Sequence, residues 1–364
     1  MNQVTRPMGP TGNVKKNPEL WAIVLAAGEG KRLAQVTRRL YGWDVPKQFA
    51  ALDGNVTLLQ QTMNRLAPLV PADRTVVVVA ADRRDLADMQ LAQYPGVQIV
   101  SQPANAGTGP GILLPMSVIK AQAPDATVIV TPSDHHVPGV DGFVASVRRA
   151  QEVARRAPAG LVLLGAEADE PAVDLGWIVP EAQSGEQDGH QGGKAGAPID
   201  LVQHFVEKPP QMVAEELLVR GALWNTLVLV GSVSAFWGQA HRRMPRQAAR
   251  FDTYVTVLER TGGHEDSTAK AVLERLYKSM PPADFSRTVL QNAEGLAVVR
   301  LKNSGWCDCG TPDRLATCLE DTADRRPIIM EAIRHSIDTE PGRSLTDRPV
   351  LGLTLRTLTA GQHG

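Results

Sequence analysis

The chain has 364 residues, of which 43% are hydrophobic, and its formal net charge is −1 at pH 7. The length and apolar content suit one large α/β domain with an appendage, and the near-zero charge argues against broad electrostatic binding to nucleic acid or to a membrane surface. No apolar run approaches the roughly 20 residues of a membrane span, and residues 1–18 lack the apolar centre of a signal peptide. We therefore expect a soluble cytoplasmic protein with a flexible N-terminal arm over residues 1–18.

The cysteines are few and stand close together near the end of the chain, as Cys307, Cys309 and Cys318. An odd, low count does not make a disulfide framework, which fits a reducing compartment. Two thiolates in a Cys-x-Cys pair do not complete a zinc site, and Cys318 is predicted to be a core residue.

The first clear motif is an apolar run over residues 21–26 that ends in a glycine turn, Ala27-Gly28-Glu29-Gly30. The run predicts a buried strand, and the turn can bring backbone N–H groups close to an anion. Lys31 and Arg32 add two cations, so we expect a phosphorylated ligand. Neither standard phosphate loop fits, because the third glycine of a dinucleotide fingerprint and the Gly-Lys-Ser/Thr of a P-loop are both missing here.

The next part of the chain alternates between helical and strand patterns, which predicts a mainly parallel sheet. The expected elements are a helix over 57–69, a strand over 75–80, a helix over 83–93, a strand over 97–101 and a helix over 111–122. Lys47 precedes them and is expected near the end of the first strand. A second glycine-rich loop, Gln102 to Pro110, is expected to face a ligand.

A strand over residues 127–131 runs into Pro132-Ser-Asp134-His135-His136. Ligands collect at the carboxyl ends of parallel strands, so Asp134 should face the same crevice as the glycine turn. Mg²⁺ takes one or two carboxylates with phosphate oxygens and water, which makes Asp134 a candidate magnesium ligand. The alternative is that Asp134 caps a helix beginning near Asp141 or closes a turn. The two histidines lack further ligands at zinc spacing, so we expect surface or supporting roles for them.

The second half of the chain predicts further strands over 161–166, 175–179, 202–206, 226–231 and 295–301, a short helix over 211–220 and a helical region over 232–280. The segment 175–179 is expected at an antiparallel edge. Residues 182–198, rich in glycine, glutamine and serine, predict a flexible insertion. We expect a single domain over 19–320 and a tail over 321–364 without a domain of its own. Asp308 follows the last strand and is a second candidate metal ligand.

The chain contains a series of short motifs. Each motif is weak evidence for a family by itself, but the series in this order is strong evidence. They are Leu25-Ala-Ala-Gly-x-Gly-x-Arg32-Leu, Pro46-Lys-Gln-Phe49, Asn105-x-Gly-Thr108, Pro132-Ser-Asp-His135, Gly176-Trp-Ile178, Phe205-Val-Glu-Lys-Pro209, Trp224-Asn225 and Gly305-Trp-x-Asp-x-Gly310. This series resembles the sugar-phosphate nucleotidylyltransferases, and within them it is most similar to the mannose-1-phosphate guanylyltransferases. The resemblance runs from about residue 20 to residue 320.

The resemblance implies a Rossmann-like, GT-A-like α/β domain with a mostly parallel mixed sheet and helices on both faces. It implies transfer of a nucleotidyl group from an NTP, with GTP favoured, to a hexose 1-phosphate, with mannose 1-phosphate favoured. Pyrophosphate would be released and Mg²⁺ would be the cofactor. A homo-oligomer is compatible with it, and no nucleic acid or membrane partner is implied.

The resemblance also assigns roles to residues. Arg32, Lys47, Asp134 and Lys208 are the expected catalytic residues, and Asp134 and Asp308 the metal ligands. Nucleotide binding is assigned to Ala26, Ala27, Gly28, Gly30, Lys31, Arg32, Gln102, Asn105, Gly107 and Thr108. Sugar-phosphate binding is assigned to Gly176, Glu207, Lys208 and Asn225.

The chain departs from the family pattern in two loops, over residues 29–45 and 104–111. Glu29 puts a negative charge into the phosphate loop. Gln102 stands where the guanylyltransferase pattern has glutamate, and its amide can pair with uracil or thymine as donor plus acceptor, whereas guanine favours a pure acceptor. A uridylyl- or thymidylyltransferase and a non-catalytic sugar-nucleotide-binding relative therefore stay open as alternatives. An oxidoreductase is disfavoured: Asp82 supplies an acidic residue, but the third glycine is missing.

Overall fold

The computed structural model describes residues 19–52, 56–181, 199–319 and 326–338. The arm predicted over 1–18, the insertion predicted over 182–198 and most of the tail over 321–364 lie outside these ranges. Among the described residues, none of the helices combines the length and the apolar character needed to cross a bilayer.

A nine-stranded mixed sheet forms the centre of the described chain. Its strands are β1 (Leu20–Ala26), β2 (Thr75–Ala80), β3 (Gln98–Gln102), β4 (Thr127–Pro132), β5 (Leu161–Glu167), β6 (Gly176–Pro180), β7 (Asp200–Glu207), β8 (Leu223–Ser232) and β9 (Ala297–Arg300). They lie in the order β3-β2-β1-β4-β8-β5-β9-β7-β6. Pairing is parallel from β3 through β2 and β1 to β4, and between β5 and β9. The other pairings are antiparallel.

Helices cover the two faces of this sheet. They are α1 (Ala34–Tyr41), α2 (Leu58–Leu66), α3 (Arg84–Leu91), α4 (Thr108–Gln122), α5 (Val140–Ala154), α6 (Gln211–Val219), α7 (Val233–Arg243), α8 (Pro245–Glu259), α9 (Ser267–Tyr277), α10 (Phe285–Thr288), α11 (Pro312–Cys318) and α12 (Arg326–Asp338). Strand β1 shows the layering directly. Trp21 and Ile23 belong to the core on one face, and Ala22 and Val24 to the core on the other. A strand buried on both faces has a continuous apolar sequence, which is why residues 21–26 were recognisable.

The predicted mixed α/β fold is confirmed, and the segment 175–179 is antiparallel as predicted, but it is not an edge, because β6 pairs with both β7 and β8. Four of the nine strand pairings in the described chain are parallel and five are antiparallel, so the sheet is more evenly mixed than the mostly parallel one that was expected. Some element bounds differ from the prediction. Helix α4 begins at Thr108 and not at residue 111, since Pro110 falls in its first turn, where the missing N–H of proline leaves no helical hydrogen bond unmade. Strand β8 begins at Leu223, three residues before the predicted start at Thr226.

Helix α12 is a structural element that the sequence pattern did not indicate. It packs against α1 and α11. Ile329, Ala332 and Ile333 are buried in the same core as β1, at the spacing of one helix face. Residues 326–338 therefore extend the core of the main domain.

The helix α4 begins at a tight contact that the chain can make only with glycine. Gly107 has φ +86°, and a Cβ atom there would lie 2.5 Å from the carbonyl oxygen of Ala283. We predict that Gly107→Ala lowers the free energy of unfolding by more than the roughly 1–3 kcal/mol of backbone strain, measured by chemical denaturation. The control is Gly221→Ala, at φ +69° with no atom within 4 Å, which isolates the strain from the clash. Equal losses in the two variants would contradict the contact.

Candidate active site

The glycine turn after β1 is held in place by Gln48. The buried side chain of Gln48 donates hydrogen bonds from Nε2 to the carbonyl oxygens of Ala26 at 2.9 Å and Gly28 at 2.8 Å. Gly30 has φ +63°, and a Cβ atom there would lie 2.8 Å from the backbone nitrogen of Lys47. The turn is thus packed directly onto the segment that carries Lys47.

The charge that Glu29 brings into this turn is neutralised locally. Lys31 forms an ion pair with the Glu29 carboxylate, and its hydrogen bond lowers the pKa of that exposed group. Asn105 Nδ2 donates to Glu29 Oε1 at 3.3 Å, while Asn105 Oδ1 accepts the N–H of Gly107 at 3.0 Å. Glu29 therefore links the two glycine-rich loops, and its negative charge is balanced within them.

Lys47 joins two distant parts of the chain at the centre of the site. Its ammonium Nζ lies 3.0 Å from Asp134 Oδ2, at the end of β4, and its side chain is only 7% exposed. The same atom donates to the carbonyl oxygens of Asp308 at 2.5 Å and Cys309 at 3.3 Å. Burial would raise the pKa of Asp134, but attractive interactions, led by that with the Lys47 ammonium, hold it below its usual value. Asp134 is consequently an ionised carboxylate near neutral pH.

His135 supports Asp134 and is not on the surface. Burial lowers the pKa of His135 to about 4, so the ring is neutral at pH 7. Trp306 Nε1 donates to His135 Nδ1 at 3.1 Å, which leaves the ring proton on Nε2, 3.7 Å from Asp134 Oδ1. His136 is buried and forms a two-way backbone bridge with Cys307. The expected surface location is therefore wrong for both histidines, and the expected supporting role fits His135.

Asp308 lies in a group of carboxylates around Arg314. Arg314 Nη1 donates to both carboxylate oxygens of Asp308 at 3.3 and 3.4 Å, and Nη2 donates to Asp174 Oδ1 at 2.8 Å. Its Nε donates to Glu170 Oε1 at 2.9 Å. Asp174 also forms an ion pair with Arg32. Burial would raise the pKa of Asp174, but the hydrogen bonds and charges of Arg314 and Arg32 together outweigh it, and the pKa lies below the usual value.

One open cavity of about 570 Å³ collects the phosphate-loop residues and the carboxylate of β4. Its lining consists of Glu29, Gly30, Lys31, Arg32, Leu33, Lys47, Asn105, Asp134 and Gly310. A Cβ atom at Gly310 would clash with Asp308 Oδ2 and lie 2.9 Å from Arg32 Nη2, so a larger residue there would displace these side chains. The same crowding places Asp308 beside Arg32 at the edge of the cavity.

The predicted sugar-binding residues come together at the other half of the sheet. Gly176 is the register partner of Glu207, and a Cβ atom on Gly176 would lie 2.7 Å from Glu207 Oε2 and 3.3 Å from Asn225 Cβ. Lys208 Nζ is 3.6 Å from Glu207 Oε1. Burial, followed by the charge of Asp284, raises the pKa of Glu207. The cluster offers a carboxylate, an amide and a partly exposed ammonium.

Thr108 and Gln102, two of the predicted nucleotide-binding residues, do not line the cavity of about 570 Å³ described above. Thr108 Oγ1 accepts the N–H of Phe285 at 2.8 Å, which ties helix α4 to α10. Gln102 is 4% exposed, and its Nε2 has no hydrogen-bond partner among the described residues. A buried amide donor without a partner costs free energy, so the Gln102 side chain lacks a hydrogen bond that would stabilise it where it lies.

The cysteines correct an expectation. Cys318 was predicted to be a core residue; it is partly buried against the core that contains Ala22 and Val24, and it is bonded to Cys307 in a disulfide that the low cysteine count did not indicate. The two Cα atoms lie 6.4 Å apart although the residues are 11 positions apart in sequence, because Cys318 is the last residue of α11. Cys309 remains a thiol, and its burial raises its pKa to about 12.

Comparison with known proteins identifies the family. The family model described as nucleotidyl transferase matches residues 21–325, which is most of the chain. The chain belongs to the nucleotidyl transferase family. The resemblance drawn from the ordered motifs is thereby confirmed.

Curated relatives within this family match the chain over part of their length. AlgA, an alginate biosynthesis protein of Pseudomonas fluorescens, is 28% identical over 293 residues, covering 79% of this chain and 56% of the relative. A mannose-1-phosphate guanylyltransferase of Escherichia coli is 27% identical over 326 residues, covering 88% of this chain and 64% of the relative. The chain thus spans less than two thirds of the length of these relatives.

Solved structures agree with the fold. A mannose-1-phosphate geranyltransferase from Thermus thermophilus superposes with a TM-score of 0.67 at 25% identity, covering 83% of this chain and 80% of that chain. A mannose-6-phosphate isomerase from Helicobacter pylori superposes with a TM-score of 0.58 at 18% identity, covering 79% of this chain and 99% of that chain. The second likeness shows the fold alone.

The sequence motifs assign no role to several residues that shape the site. Gln48 stands inside the Pro-Lys-Gln-Phe motif, and its position beside Lys47 was the available signal. Asp174 and Glu170 precede β6 and Arg314 lies in α11, so nothing local connects them. Asp174 is 142 residues from Arg32 in sequence, and only the folded chain pairs them.

Gly28 gives a direct test of where the ligand lies. A Cβ atom at Gly28 would meet no protein atom within 4 Å. We predict that Gly28→Ala leaves the melting temperature unchanged and weakens NTP binding, measured by calorimetry, because only a bound ligand would contact the added methyl group. The control is Gly238→Ala in helix α7, whose methyl group would approach only the exposed Arg242 side chain, at 3.5 Å or more. NTP affinity equal to that of the unmodified protein would show that the turn does not contact the nucleotide.

Proposed function

We propose that this protein transfers a nucleotidyl group from an NTP to a hexose 1-phosphate in the cytoplasm, releasing pyrophosphate. GTP and mannose 1-phosphate are the first candidates, because the matched relatives include proteins named mannose-1-phosphate guanylyltransferase. The observation that carries the proposal is the single cavity in which the glycine turn, Arg32, Lys47 and Asp134 lie together.

The charges of this cavity suit phosphoryl chemistry. Transfer of a nucleotidyl group depends on in-line positioning and charge stabilisation more than on an acid or a base. Arg32 is 56% exposed beside the glycine turn, where it can reach a triphosphate. Lys47 is buried and fixed by three contacts, so its ammonium is in place before a substrate arrives. In this proposal both cations offset the negative charge that develops on the departing pyrophosphate.

The residues present also fit a magnesium ion. Mg²⁺ takes carboxylate oxygens together with phosphate oxygens and water, and the chain supplies two carboxylates here, that of Asp134 paired with Lys47 and that of Asp308 near Arg32. Asp134 lines the cavity, and 36% of its side chain is exposed. We propose that these two residues hold Mg²⁺, which would neutralise negative charge on the α-phosphate when bound.

The sugar would bind at the cluster around Glu207. Glu207 and Asn225 can form hydrogen bonds with hydroxyl groups, and the absence of a side chain at Gly176 lets both of them pack closely against its backbone. Lys208, whose side chain is 53% exposed, can reach the phosphate of the sugar. Its backbone has φ +50°, an unusual conformation for a residue other than glycine, which supports a functional constraint at this position.

Transfer to a pyrimidine nucleotide is the second candidate, and Gln102 is the observation that favours it. Its buried amide offers one donor and one acceptor, which matches the edge of uracil or thymine. Backbone groups of the 104–109 loop can still read guanine. The choice of base therefore depends on whether Gln102 faces the nucleotide.

The test is an assay of several NTPs against several sugar 1-phosphates, with pyrophosphate as the measured product. We expect one NTP and sugar pair to dominate, activity to disappear with a chelator, and Mg²⁺ to restore it. Asp134→Asn is the matched inactive variant, because it removes a charged ligand while keeping a similar shape, and its turnover should fall by orders of magnitude. A folded protein that releases no pyrophosphate with any pair would instead support a non-catalytic sugar-nucleotide-binding relative.

The role of Gln102 in base selection gives a separate prediction. Gln102→Glu replaces the unpaired amide donor with an acceptor, so we expect the ratio of kcat/KM for GTP over UTP or dTTP to rise. A mismatch at one buried polar group costs about 1–3 kcal/mol, which predicts a change in this ratio of about 5-fold to about 150-fold. The control is Gln98→Glu, at the opposite end of the same strand. An unchanged ratio would show that Gln102 does not contact the base.

A further inference from the structure

Arg314 is a residue of the site for which neither the motifs nor the proposed chemistry assigns a role. Its side chain is 18% exposed and contacts three carboxylates, those of Glu170, Asp174 and Asp308. The contacts use Nε, Nη1 and Nη2, so the planar fork of the guanidinium is fully engaged. A lysine could not make this set of contacts, because its ammonium is a point charge.

Asp174 is the carboxylate that connects Arg314 to the phosphate cavity. It accepts hydrogen bonds from Arg314 Nη1 at 3.2 Å and Nη2 at 2.8 Å, and it forms an ion pair with Arg32. Glu170 contacts Arg314 through Oε1, and no contact between Glu170 and Arg32 is found among the described residues. Arg314 and Arg32 therefore share one counter-ion, the Asp174 carboxylate, and of the two it is Arg32 that lines the cavity.

We propose that Arg314 is a positioning residue that keeps Arg32 available for the phosphates of the nucleotide by sharing Asp174 with it. This inference rests on the proposed function, in which Arg32 binds the triphosphate. With Arg314 present, the charge of Asp174 is divided between two guanidinium groups. Without it, Asp174 faces Arg32 alone, and an incoming phosphate must displace a stronger ion pair.

A second consequence concerns the balance of charge. Around Arg314 the carboxylates of Glu170, Asp174 and Asp308 carry three negative charges against one positive charge. Removing Arg314 would also make the whole region more negative, which by itself weakens anion binding. The experiment must therefore separate the specific release of Arg32 from a general change in charge.

The probe is inorganic pyrophosphate with Mg²⁺, whose binding to the full chain is measured by calorimetry without turnover. We expect Arg314→Gln to weaken pyrophosphate binding by about two- to fivefold, the range of a partly exposed ion pair, and to raise the KM for the NTP. The double variant Arg314→Gln with Asp174→Asn should regain most of the lost affinity, because Arg32 is then released.

The matched control is Arg314→Gln with Glu170→Gln. This double variant has the same net charge as the one with Asp174→Asn, but it keeps the ion pair between Asp174 and Arg32. We therefore expect its pyrophosphate binding to stay weak. Arg220→Gln, which removes an exposed guanidinium paired with Glu216 on helix α6, should leave pyrophosphate binding unchanged.

Equal recovery in the two double variants would overturn the proposal, since only net charge would then matter. Unchanged affinity in Arg314→Gln would overturn it as well. If Arg314→Gln does not fold, Arg314→Lys keeps the charge, and wild-type affinity in that folded variant would contradict the need for a shared contact. Failure of the proposed function looks different: the unmodified protein would then release no pyrophosphate with any NTP and sugar pair.

Discussion

The buried ammonium of Lys47 is the interaction on which the site depends. A charge taken out of water must be paired, because leaving a buried charge unpaired costs on the order of several kcal/mol. Lys47 meets this requirement with the Asp134 carboxylate and with the carbonyl oxygens of Asp308 and Cys309. The end of β4 and the segment after β9 are thereby held against the glycine turn, although they are far apart in sequence.

This constraint explains the other features of the cavity. Gln48 follows Lys47 and fixes the carbonyl groups of the turn, so the two residues of one short motif determine the shape of the phosphate loop. On the far side, Arg314 donates a hydrogen bond to the Asp308 carboxylate, while Lys47 donates one to the backbone carbonyl oxygen of Asp308. Cations and carboxylates alternate from Asp134 to Arg32, and such fixed charges can act on phosphates without reorganising.

The site also shows how a departure from a family pattern can be accommodated. Glu29 would repel a phosphate if it pointed into the turn, but Lys31 and Asn105 both bind its carboxylate. The pair of loops that differs from the family is therefore joined by direct contacts. Gln102 is different, since its buried amide nitrogen lacks a partner among the described residues.

The sequence by itself determined the fold class, the family and most of the cavity. Apolar runs, glycine turns and motif order are local properties, and strands buried on both faces make them conspicuous, so Lys47 and Asp134 could be named from the pattern alone. Only the tertiary structure decided the ion pairs of Arg314 and Asp174, the Cys307–Cys318 bond and the burial of α12. These contacts form between segments that are separated in sequence and become neighbours only in the folded chain. The identity of a charged residue does not reveal which residue it will pair with.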